Sequence, residues 1–68
     1  MKLIMKTEFD NLRKNPLNGY QSDVNGEKKV VKIYRNDQLI AKKIMLKKSI
    51  RYFGIIGYQQ FLSDEIDQ

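Results

Sequence analysis

The first apolar pattern along the chain is helical. Met5, Phe9 and Leu12 recur at i, i+4 and i+7, one stripe of a 3.6-residue repeat. Pro16 disfavours helix at the preceding Asn15, so this helix should stop by about Lys14. Thr7 offers a different start, as an N-cap with Asp10 three residues on, a weaker form of a capping box that prefers Glu or Gln. Residues 2–6 would then be extended and the helix short. Both readings of the N-terminal segment, residues 1–15, are open.

Beyond Pro16 the period shortens to two. Asn18-Gly19, Asn25-Gly26 and Asn36-Asp37 are dipeptides that tolerate the positive φ of tight hairpin turns. Between them Tyr20, Ser22 and Val24 alternate with Gln21 and Asp23. The run Lys28 to Arg35 is rich in β-branched residues, and Leu39 to Leu46 puts Ile40, Ile44 and Leu46 on one face. Residues 19–46 therefore predict an antiparallel meander of three strands.

Residues 49–66 read as a C-terminal helix. Ser49 can cap it, and Ile50, Phe53, Gly54, Gly57 and Phe61 fall on one side at helical spacing. Each glycine costs about 1 kcal/mol there. RYFGIIGY also has strong strand propensity, so a fourth strand followed by a short helix from Tyr58 is the alternative. Ile55, Leu62 and Ile66 point away from the first stripe. They either bury a second helix face or form a seam for a partner or a second copy of the chain. The expected architecture is α+β: a three-stranded antiparallel meander packed by the C-terminal helix, with a short N-terminal one.

Composition narrows the function. Sixty-eight residues make one domain, residues 1–68. A chain of this size buries only about 60% of its unfolded surface. With no cysteine and no histidine, neither a disulfide nor an ordinary zinc site supplements that core, and the commonest general acid–base residue is missing. Ser22, Ser49 and Ser63 have no histidine to activate them. Asp64, Glu65 and Asp67 lack the spacing of a calcium loop and read as a solvated tail. No enzyme activity, cofactor or metal is expected. The apolar start is only Leu3 to Met5, too short for a secretory signal, and Tyr52 to Ser63 is too short for a membrane span. A cytoplasmic protein without a transmembrane segment is expected.

Charge is what distinguishes the chain. Nine of its 13 lysines and arginines lie between Lys28 and Arg51, against Asp37 as the one acidic residue of that stretch. Solubilising surfaces mix signs; this segment does not. Lys28, Lys29, Lys32, Arg35, Lys42, Lys43, Lys47, Lys48 and Arg51 are the candidate phosphate contacts, with Tyr34 and Tyr52 placed to stack on bases. Lys47, Lys48 and Arg51 would surround a helix start, where free N–H groups and the helix dipole already favour phosphate. The expected partner is nucleic acid, RNA or DNA. The other readings are docking to an acidic protein partner, homodimerisation, and attachment to an anionic membrane.

The order helix, Pro16, Tyr20 strand, two hairpins and KKSIR opening a helix resembles a double-stranded-RNA-binding domain. In that family Lys47, Lys48 and Arg51 would match the basic motif of the last helix, which implies phosphate contacts. Gly19 to Leu62 is similar in layout to the integrase arm-type and AP2-like three-strand-plus-helix domains. That resemblance implies a sheet in the DNA major groove, with Lys29, Lys32, Lys42 and Lys43 at the interface.

Overall fold

The fold was obtained as a computed structural model that describes residues 1–62. The chain runs β1 (Lys2–Leu3), α1 (Lys6–Lys14), β2 (Gly19–Asn25), β3 (Lys28–Arg35), β4 (Gln38–Met45), β5 (Ile50–Gly54) and one 3-10 turn, Tyr58–Phe61. The strands form one antiparallel sheet in the order β1-β5-β4-β3-β2. β2 to β5 are a continuous meander, and β1 closes the opposite edge. Helix α1 crosses one face from the β1 edge to the β2 edge and buries Phe9 and Leu12 against Val31, Ile33, Ile40 and Ala41.

This corrects the three-stranded meander with a C-terminal helix. The sheet has five strands, and α1 is the one α-helix among the described residues. Ile50–Gly54 follows its strand propensity because β4 offers a free edge, and it pairs there from Met45↔Ile50 to Ala41↔Gly54. Gly54 suits this arrangement: a Cβ would stand 3.2 Å from both Ile4 Cγ2 and Tyr58 Cγ. Gly57 takes φ 86° and turns the chain into the 3-10 turn. The outward set expected on a helix dissolves accordingly. Ile55 and Leu62 are half-buried against the core, and Ile66 lies outside the described residues.

The hairpins show what local chemistry does. Asn36 and Asp37 both have positive φ, at 53° and 67°, the type I′ requirement between Arg35 and Gln38. Gly26, at 64°, is the first central residue of the β2–β3 turn, and Glu27 is the second. Asn18-Gly19 makes no hairpin; Gly19 opens β2 instead. A third turn, Lys47-Lys48, carries no positive-φ signal and closes through Leu46 N–H donating to Ser49 O at 2.8 Å.

In β4 a bulge places Ile40 and Ala41 together opposite Ile33, and both are fully buried. The extra residue puts Ile44 on the other face from Ile40, contrary to simple alternation. The carbonyl of Ile40 accepts from Ile55 N–H at 3.0 Å, so the bulge also docks the segment after β5.

At the start of α1, Glu8 Oε1 accepts from Met5 N–H at 3.1 Å, and Oε2 accepts from the Tyr58 hydroxyl at 2.5 Å. The Tyr58 hydroxyl, then the Met5 amide, holds the Glu8 carboxyl below its ordinary pKa; the same bond to Glu8 raises Tyr58. Glu8 therefore stabilises the fold above the ordinary glutamate range, near pH 4, and that contribution is lost as pH falls through its lowered folded value. Protonated Tyr58 stabilises the fold below about pH 10, and that contribution is lost as pH rises through its raised value. Thermal melts followed by circular dichroism should show a plateau between these limits. Tyr58→Phe should flatten the alkaline limb, and an unchanged limb would refute the role of this bond.

Candidate nucleic-acid interface

Strand alternation sorts the cations onto two faces. Val31, Ile33, Ala41 and Gly54 face α1, so their neighbours in register face away. Three rows cross the open face: Asp23–Val30–Ile44–Arg51, then Gln21–Lys32–Lys42–Phe53–Leu3, then Gly19–Tyr34–Leu39. Lys28 precedes the first row at the start of β3. Among the described residues no element covers this face.

Lys28, Lys32, Lys42 and Arg51 thus share one surface, drawn from three adjacent strands. The β2–β3 and β4–β5 turns lie at the same end of the sheet, which sets Lys47 and Lys48 at the tip nearest Lys28. A basic band of six side chains runs from that tip to mid-sheet. Lys32 Nζ stands 3.9 Å from Asp23 Oδ2, the one ion pair in the band among the described residues. Such an exposed pair contributes little to stability. Lys42 Nζ lies 5.9 Å from the Phe53 ring centroid. Its apolar stem can cover the ring while its charge stays in water.

The other expected contacts go elsewhere. Lys29 and Lys43 are on the helix-side face, with Lys43 Nζ 5.5 Å from the Tyr52 centroid. Arg35 donates from Nε to Asn18 Oδ1 at 2.6 Å and sits 5.2 Å from the Phe61 centroid, so its guanidinium serves the fold. Tyr52 packs at 5.4 Å, tilted, against Phe9 and is no stacking surface. Lys47, Lys48 and Arg51 surround a turn and a strand rather than a helix start, which removes the helix-dipole contribution expected there.

Phe53 is an open-face residue that the helical reading hides, since a helical period groups it with Ile50 and Gly54 on one stripe. The alternation Ile50, Tyr52, Gly54 against Arg51, Phe53 is its signature once the segment is a strand. Beside Tyr34, Gly19 is the facing residue on β2. A shallow depression of about 420 Å³ opens there, lined by Gly19, Tyr20, Gln21, Tyr34 and Asp37.

No family model, curated protein or solved structure matches the chain. No helix of the described residues is long and apolar enough to cross a membrane.

Proposed function

We infer that this chain is a non-catalytic nucleic-acid-binding domain that contacts phosphates through its open sheet face. The observation that carries the reading is the convergence of Lys28, Lys32, Lys42 and Arg51 from three adjacent strands on one face that no element of the described residues covers. Lys47 and Lys48 extend the band at the tip. Like charges so placed repel one another, and a polyanion relieves that repulsion while releasing its own counterions. Lysine outnumbers arginine in the band, which favours backbone contact over bidentate reading of guanine.

Fluorescence anisotropy across a salt series tests this. With all six cations on phosphates, log affinity should fall against log salt with a slope of about −4 for a single strand and about −5 for duplex DNA. A slope near zero, or no binding at low salt, would refute the reading.

A further inference from the structure

Resting on that reading, we propose that the ligand is single-stranded, and that the depression beside Tyr34 seats one of its unpaired bases. The first argument is shape. Five strands at about 4.8 Å spacing make a face roughly 19 Å wide. The major groove of B-form DNA is about 12 Å wide and admits a helix or a two-stranded ribbon. A flexible strand can follow the full width of such a face without any part of the sheet having to enter a groove.

The second argument is the mixture of groups. Lys32 and Lys42 lie one row from Tyr34 on the same face, and a basic track beside an aromatic platform is how unpaired nucleic acid is held without sequence reading. The third is the depression itself. Gly19 opposes Tyr34 in register, and a Cβ at Gly19 would meet nothing within 4 Å, so the space beside this pair is open. Asp37 at its rim repels a phosphate but accepts hydrogen bonds from an uncharged base. The depression therefore fits a base, with the phosphates displaced toward Lys32 and Lys42 in the neighbouring row.

The space at Gly19 supplies the decisive variant. Gly19→Val adds a β-branched side chain in open space, at a position without positive φ, and changes no charge. Anisotropy should be measured with labelled 12-nucleotide single-stranded DNA and RNA and with a 12-base-pair DNA duplex, at one salt concentration. Wild-type protein should bind the single strands about tenfold more tightly than the duplex. Gly19→Val and Tyr34→Ala should each weaken single-strand binding about tenfold and leave duplex binding within twofold. Circular dichroism establishes that both variants are folded.

Equal wild-type affinity for the two forms, or folded variants that bind single strands as wild type does, would overturn this proposal and leave phosphate binding standing. Failure to bind any of the three probes would overturn the parent reading as well. A wild-type dimer in sedimentation that Tyr34→Ala dissolves would assign the open face to a second copy of the chain and overturn the proposal.

Discussion

Replacing Lys32 and Lys42 together by glutamate should weaken oligonucleotide binding about a hundredfold at 0.1 M salt, roughly tenfold for each phosphate contact. The same change at Lys29 and Lys43 should cost less than about fivefold. The two variants change net charge equally, so the comparison separates a local surface from general basicity. Lys32 and Lys42 are directly opposed on β3 and β4 and share a row on the open face, while Lys29 and Lys43 lie on the other side of the sheet. Side chains on opposite faces are separated by about 10 Å or more, close to one Debye length at this salt, so the field of one pair is largely screened at the other. Anisotropy with the same labelled strands measures both variants. Equal losses would mean that charge acts without a defined surface.

Asn18→Ala should destabilise the domain by about 2–4 kcal/mol. Asn18 is buried where the helix, β3 and the 3-10 turn meet. Its Nδ2 donates to Leu12 O at 2.8 Å and to Phe61 O at 3.3 Å, and its Oδ1 accepts from Arg35 Nε at 2.6 Å. Truncation leaves the buried end of α1 and a guanidinium without partners, and each orphaned group costs more than the bond itself contributes. Nη2 of Arg35 already has no partner among the described residues, so the guanidinium has little to fall back on. A domain of 68 residues has only about 3–10 kcal/mol of stability in total. Urea titration should show a sharply lowered midpoint. Asn18→Asp, which keeps the acceptor for Arg35 and loses the donor, should fall between the two.

Asn18 also shows how a residue type misleads when its surroundings are unseen. Next to Gly19 it reads as a turn former. Its role is set by carbonyls at Leu12 and Phe61, the latter 43 residues away. The neighbouring Asn15 acts similarly: Oδ1 accepts from Leu17 N–H at 2.9 Å and Nδ2 donates to Phe61 O at 3.2 Å. Together the two asparagines tie the helix end to the C-terminal turn, and neither bond follows from spacing.

The candidate site was half visible. Its cations stood out because charge clustering needs no tertiary information. Their division between faces did not, because one bulge reverses alternation along β4 and the pattern of Leu39 to Leu46 gives no sign of the inserted residue. Phe53 was lost with the helix assignment, since a helical period joins it to Ile50 and Gly54 while a strand separates it from both.

The chain alone determined whatever depends on neighbouring residues. Pro16 ended the helix before it, with the last helical residue at Lys14. Asn36-Asp37 and Gly26 supplied positive φ at two reversals, and the basic segment is a property of composition. Tertiary structure decided the conformation of residues 50–54, the side of the sheet that α1 covers and therefore the face that α1 leaves open. The physical reason is that a strand is completed by hydrogen bonds to another strand. RYFGIIGY has comparable tendencies in two conformations, and the open edge of β4, itself a product of two earlier hairpins, selects between them.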